Sequence, residues 1–227
     1  MNPVIALARS EVLQLLRNKT TAAMALLLPL VLGAMFLISS DGQDWEIALA
    51  MQLVSAQGLT VYISSTSAFA ARRQDLSLKR LRSGELSDLA IIAGVLTPFV
   101  VLGVAQCVVL SAAVLITGAP VPGNPLGLVV AILGGVAVNA AVGLLTATFT
   151  ATAEAAQITT APFFFAALGG AIWAIAGDNP WATALPGGAV ARLAIGEDLV
   201  RPVVALVVWT AVACVLGLRH TRWDPRG

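Results

Sequence analysis

The chain is written in long apolar runs separated by short polar ones. Six runs stand out, at residues 20–38, 47–71, 89–117, 126–150, 158–176 and 202–218. Crossing about 30 Å of hydrocarbon takes roughly 20 apolar residues in a helix, so each run predicts a transmembrane helix. The third is longer than a crossing requires and contains Pro98, which predicts a tilt, a kink or an end that lies partly outside the membrane. Ahead of the first run, apolar and polar positions alternate with helical period. Val4, Ile5, Ala8, Val12, Leu15 and Leu16 share one arc of a helical wheel, and Ser10, Glu11, Gln14, Arg17 and Asn18 the opposite one. Residues 1–19 are too short and too charged to span and predict an amphipathic helix lying in the membrane interface. The alternative is a first turn that merely extends the next helix.

Polar positions inside the runs refine this picture. The second run carries two stripes, Gln57, Thr60, Ser64 and Ser67 on one face and Gln52, Ser55, Tyr62 and Thr66 on another. Polar groups in hydrocarbon need a protein neighbour or water. Two stripes therefore predict two contacts, either a translocation path plus a helix interface or helix packing alone. In the fourth run Gly127, Ala131, Gly134, Gly135, Ala140 and Gly143 permit close helix approach, and Asn139 is placed to bond across to a neighbour. Gln52, Gln57, Thr60, Tyr62, Ser64 and Asn139 are the candidates for a substrate path. Glu154 falls in the polar turn after the fourth run, where an interfacial position is expected; a proton-carrying carboxylate is the alternative.

Composition agrees with the pattern. Apolar residues make up 58% of the 227 residues and charged ones 11%, against about 25% charged in a soluble domain, and the mean hydropathy is +0.90. The sequence is that of an integral membrane protein, with nothing that favours nucleic acid. No cleaved leader is expected, because the first apolar run begins only after Lys19 and several more follow. Cys107 and Cys214 lie within apolar runs and read as small packing residues.

The basic residues orient the chain. With the N-terminus inside, eleven of the thirteen fall on the cytoplasmic side and only Arg192 and Arg201 outside, a strong positive-inside bias. Both termini are then cytoplasmic. Five of the thirteen sit in one segment, residues 71–88, between the second and third runs. Within it Asp75 and Lys79 are spaced i, i+4, Leu78 and Leu81 are spaced i, i+3, and Gly84 suits a helix end. A short helix with leucines on one side and Lys79, Arg80, Arg82 and Glu85 around them fits a groove in a soluble partner. The alternative is a solvated basic loop that only fixes topology. Residues 177–201, rich in proline and glycine, form an external connection whose mildly apolar middle either re-enters the membrane or lies along it.

Several chemistries are missing. No phosphate-binding G-x-x-x-x-G-K-[ST] occurs. The single histidine, His220, leaves no His-based metal or Ser-His site, and no pair of acids falls inside a predicted span. These gaps weigh against a membrane enzyme and against a self-powered secondary transporter, and they put any energy source on another polypeptide.

Three stretches resemble the membrane subunit of type-2 ATP-binding-cassette (ABC) exporters, a family that includes antibiotic-resistance and polysaccharide-export permeases. RSEVLQLLRNKTTAAMALLLPLVLGAMF at 9–36, with Pro29, is similar to the family's amphipathic opening helix and first span. RRQDLSLKRLRSGELSDLAIIAG at 72–94 resembles its cytoplasmic E-R-x-x-G-T-L-x-R-L segment, although Gln74-Asp75-Leu76-Ser77 stands where a glycine-threonine pair is usual. TTAPFFFAALGGAIW and ALPGGAVARLAIGED, at 159–173 and 184–198, are similar to its fifth segment and last external loop. The resemblance implies an all-α, six-span, single transmembrane domain over residues 1–227, with segment 72–88 as a coupling helix seated on an ABC ATPase. It further implies two ATPase copies holding the ATP and magnesium, a second permease as homodimer or heterodimer partner, and a plasma-membrane location. The implied activity is export of an amphipathic or hydrophobic compound, such as an antibiotic or a lipid-like molecule. A standalone secondary transporter or channel, and a non-transporting anchor or sensor subunit, are the rival readings.

Overall fold

A computed structural model describes residues 23–39, 44–83, 87–120, 122–177, 179–196, 199–221 and 223. The expected interfacial helix at 1–19, and Gly84 and Glu85 of the basic segment, lie outside the described residues. Among the described residues all regular structure is helical. A π-helical turn, Ala23–Leu27, leads into α1, Leu28–Ser39. Then follow α2 (Trp45–Gln74), the short α3 (Ser77–Arg82), α4 (Asp88–Ile116), α5 (Pro125–Phe149), α6 (Ala155–Ala176), α7 (Pro186–Ile195) and α8 (Val200–His220). Five of these, α2, α4, α5, α6 and α8, are long and apolar enough to cross a membrane, and an apolar helix at Ala25–Ser39 is shorter. The protein is therefore a multi-pass helical membrane protein.

Helix ends follow from local chemistry. Ser87 begins α4 by accepting the amide hydrogen of Ala90 at 3.2 Å, and Asn124 begins α5 by accepting that of Leu126 at 3.1 Å with Pro125 in the first turn. The α7 helix starts on Pro186 and stops at Gly196, whose φ of +82° is the left-handed geometry that favours glycine. Pro98 does not interrupt α4, which runs unbroken from Asp88 to Ile116. Its missing amide hydrogen costs one bond to the Gly94 carbonyl.

The most polar span is at the centre. In α2, 89% of the most apolar eighteen-residue stretch is buried, against 22% in α8. A helix with polar groups on two faces stays in hydrocarbon only when protein surrounds it, and α1, α4, α5, α6 and α7 all pack on α2. Its middle, Gln57–Ile63, is π-helical.

Glycines set the closest approaches. Gly135 of α5 lies against the side-chain amide of Gln57, and Gly143 against the hydroxyl of Ser65. Small residues in α5 therefore serve helix packing. Asn139 differs from expectation: its Nδ2 donates to the Gly135 carbonyl at 2.8 Å within its own helix. A short amide side chain finds the carbonyl one turn back sooner than a neighbouring helix.

Among its described residues the proline- and glycine-rich connection at 177–201 is largely helical. A 3₁₀ turn, Pro180–Ala184, precedes α7, and every α7 residue except Arg192 is buried. The α7 helix packs on α2, α5, α6 and α8. Arg192 donates to the Gly177 carbonyl at 2.8 Å, and the Trp209 indole of α8 donates to the Ala184 carbonyl at 2.9 Å. These two bonds tie the connection to α7 and α8.

Candidate functional site

The basic segment leaves the bundle at the end of α2, and its shape is set by one buried cation. Arg73, 2% exposed, sends both terminal nitrogens to the Ala147 carbonyl at 3.0 Å, and Nη2 also donates to the Thr150 carbonyl. The last carbonyls of α5 have no partner within their own helix, and the helix dipole makes that end negative. Arg73 thus caps α5 from α2. Next to it, Gln74 Oε1 accepts the Ala153 amide hydrogen at 3.0 Å. The end of α2 therefore holds the turn between α5 and α6.

Past Asp75 the chain reverses at Leu76, whose φ of +57° is the one positive value at a non-glycine among the described residues. A leucine there pays a steric cost of about 1–2 kcal/mol that glycine avoids. Leu76→Gly is expected to raise stability by about 0.5 kcal/mol, since glycine's greater unfolded freedom offsets part of the relief. Leu76→Ile, branched beside the backbone, is expected to lower it by about 1 kcal/mol. Thermal unfolding in detergent compares the three.

In α3 the leucine side faces inward. Leu78 is 2% exposed and packs with Phe69, Ile91, Ile92, Val95, Leu144 and Ala147, and Leu81 rests against the same cluster. The i, i+3 leucines seat α3 on its own bundle, because the pair's spacing tells which residues share a face and not what that face meets. Asp75, Lys79 and Arg80 are exposed. Arg82 pairs with Asp88 of α4, Nε to Oδ1 at 3.2 Å, with both side chains about half exposed. A pair this open adds little stability. The exposed side of α3 is thus a polar face carrying both signs of charge.

A second polar assembly lies inside the bundle, around the π-helical stretch of α2. Thr60 donates to the Ala25 carbonyl at 2.9 Å and lies within hydrogen-bonding contact of Gln106 Oε1. Gln106 Nε2 donates to the Ala25 and Leu26 carbonyls at 2.9 and 3.2 Å. Ala25 and Leu26 belong to the π turn before α1, so two π segments and α4 meet at one node. Elsewhere Gln52 donates to the Gly33 carbonyl at 2.8 Å, Gln57 to the Ala131 carbonyl at 3.1 Å, and Ser64 to the Leu59 carbonyl at 2.9 Å. The Tyr62 and Thr146 hydroxyls meet at 3.2 Å. All six residues named as path candidates are buried in this single chain, and each bonds to it. Only Thr60 and Gln52 reach the first apolar helix, while Gln57 and Tyr62 reach α5.

Four residues that matter to these assemblies were not among the candidate site residues. Gln106 is the lone amide in the third run, and Arg73 is one of two adjacent arginines at the end of the second. Both offer a signal: a strong donor inside or at the edge of an apolar run must find acceptors. Leu76 stands where the resembled pattern carries glycine, and Trp223 is an aromatic residue expected near a membrane interface. Glu154 is exposed before α6, and hydrogen bonds from its own amide and from Thr152 hold its carboxyl below the ordinary carboxylate value. A carboxyl shifted that way stays ionised near neutrality, which speaks against a proton-carrying role.

Among the described residues no three metal-ligating side chains cluster. Comparison with curated proteins returns no match. The profile of the family described as "ABC-2 type transporter" matches residues 3–185, which takes in α1 through α6 and most of the polar features above. A helical multi-pass chain matched over that length belongs to the ABC-2 type transporter family.

Proposed function

We propose that this protein is the permease subunit of an ABC exporter, moving an amphipathic or hydrophobic compound outward with ATP hydrolysed by a separate subunit. The family assigns transport. The observation that supports a partner-driven mechanism is α3: a helix of six residues, anchored by the buried Leu78, with Lys79 and Arg80 exposed. No phosphate loop occurs in the given sequence, and this reading places ATP hydrolysis on a separate subunit. In this reading α1 is the first of six spans, both termini face the cytoplasm, α3 is the coupling helix, and α7 lies on the outer side. Two permeases, alike or similar, meet two ATPases, and closure of the ATPases displaces α3. The buried amides and hydroxyls along α2 are the groups that a water-filled path would expose.

Leu78 is unsuitable for testing this, because an acid there disrupts the chain's own core. Lys79→Glu with Arg80→Glu is the informative double variant. The wild-type chain, purified gently from its native membranes, is expected to bring down a soluble protein with a Walker phosphate loop in near-stoichiometric amount. The double variant is expected to bind that protein at least about tenfold more weakly, equivalent to about 1.4 kcal/mol, with its own melting temperature within about 2 °C of the wild type, since exposed charges add under about 1 kcal/mol. Recovery of the chain alone, under conditions that preserve a known ABC complex, overturns the reading in favour of a channel or secondary transporter. Equal partner binding by the double variant removes α3 as the docking surface. An ATPase that binds without nucleotide-dependent cargo movement points to an anchor or sensor subunit.

A further inference from the structure

Trp223 comes from the far end of the chain and packs where α3 is anchored. After α8 closes at His220, Thr221 leaves the helix with ψ of 122° and donates to the Gly217 carbonyl at 2.6 Å. Two residues on, Trp223 rests on the cluster of Phe69, Leu78, Ile91 and Leu144, alongside Leu81. The guanidinium carbon of Arg82 lies 5.0 Å from the centre of its ring, within cation–π range. Arg82 also pairs with Asp88. One side chain of α3 is thus shared between the start of α4 and the segment that follows α8.

The arrangement matters because α3 is too short to hold itself. A six-residue helix has no independent stability in water, so its orientation comes from what it leans on. Two of its supports, α2 and α4, are its neighbours in sequence and are pulled directly by the backbone when α3 moves. The α8 helix is not. It lies on the outside of the bundle, 22% buried over its most apolar stretch, and packs chiefly on α5. A displacement of α3 can reach it through Leu144 of α5, which packs with Leu78 and lies against Gly217, but Trp223 supplies a direct side-chain contact between α3 and the end of α8.

We propose that Trp223 is a positioning residue for the docking site. It makes the segment after α8 one side of the ATPase-docking surface, and it passes movement of α3 to α8. This rests on the ATPase-driven reading above.

The test uses the full complex with its co-purified ATPase, followed by hydrogen exchange with and without magnesium and a non-hydrolysable ATP analogue. In the wild type, nucleotide is expected to change exchange in α3 and in the last two turns of α8 together. In Trp223→Ala the α3 response is expected to persist and the α8 response to disappear, with Trp223→Phe restoring it. Trp223→Leu keeps apolar bulk without a ring face for Arg82, and is expected to fold normally and to lose about half of the α8 response. Should Trp223→Ala not fold, the Leu and Phe variants decide the matter between them. An α8 response unchanged in Trp223→Leu and Trp223→Ala overturns the inference while leaving the ATPase reading intact. Absence of any ATPase from the wild-type preparation, seen before a variant is made, removes the reading and the inference together. A loss of stability alone would move both responses equally; the split between them is the signature of positioning.

Discussion

Replacing Arg73 with methionine is expected to lower the melting temperature of the detergent-solubilised chain by roughly 6–12 °C, the equivalent of about 3 kcal/mol for a protein of this size. The side chain is 2% exposed, and its nitrogens serve the Ala147 and Thr150 carbonyls. Methionine fills a similar space and removes the donors. Two carbonyls at the negative end of α5 are then buried without partners, and each hydrogen bond from a charged donor contributes about 1.5–3 kcal/mol. Arg73→Lys keeps the charge but lacks the planar fork that serves two acceptors at once. It is expected to recover less than half of the loss. A fluorescence-detected thermal shift on size-exclusion-purified protein reads all three. A methionine variant within about 2 °C of the wild type would show that the cap is ornamental, since that corresponds to under 1 kcal/mol.

The second large effect is expected at Gly187. A methyl group there falls inside the van der Waals envelope of the Ala167 carbonyl, and the obstacle is α6 backbone with no flexible side chain to move aside. Gly187→Ala must push α7 off α6, which costs about 3 kcal/mol as an overpacking defect. Because α7 packs on four helices, the displacement is felt across one end of the bundle. Gly169→Ala is the matched control. It lies on the same helix pair with nothing within 4 Å of the added methyl, and helix propensity there favours alanine by about 1 kcal/mol. Two glycine-to-alanine changes with opposite signs test the α6–α7 contact itself. Equal melting temperatures for both variants would contradict the placement of α7.

The spans were easy to read because the bilayer writes their length into the chain. The runs at 47–71, 89–117, 126–150, 158–176 and 202–218 became Trp45–Gln74, Asp88–Ile116, Pro125–Phe149, Ala155–Ala176 and Val200–His220, with ends displaced by a few residues where polar caps extend a helix past the hydrocarbon. Three features resisted for separate reasons. The burial of α7 was hidden because glycine and alanine make a segment look only mildly apolar, although they are what allows it to be enclosed. The two stripes of α2 were sorted on a wheel of uniform turn, and the wider turns of Gln57–Ile63 break that uniformity. This is why Gln57 and Tyr62, assigned to different stripes, both bond to α5. The left-handed backbone at Leu76 was masked by its side chain. The E-R-x-x-G-T-L-x-R-L pattern, laid on residues 72–81, puts glycine at that position, and the geometry explains the preference: most side chains are strained there.

The π stretch of α2 has a consequence of another kind. In the language of crystals it is a dislocation: one residue too many in an otherwise regular lattice of turns. A dislocation can glide. Moving the extra residue along the helix re-aims every side chain it passes by about 100°, the angle of one helical step, while hydrogen bonds are exchanged one at a time and never all at once. The two halves of α2 therefore carry separate angular settings. Trp45–Ala56 is fitted to α1 and α7, and Ser64–Gln74 to α5 and the cap at Arg73. Thr60, within the defect, and Gln106 of α4 both donate to the Ala25 carbonyl and so tie the defect to the π turn before α1.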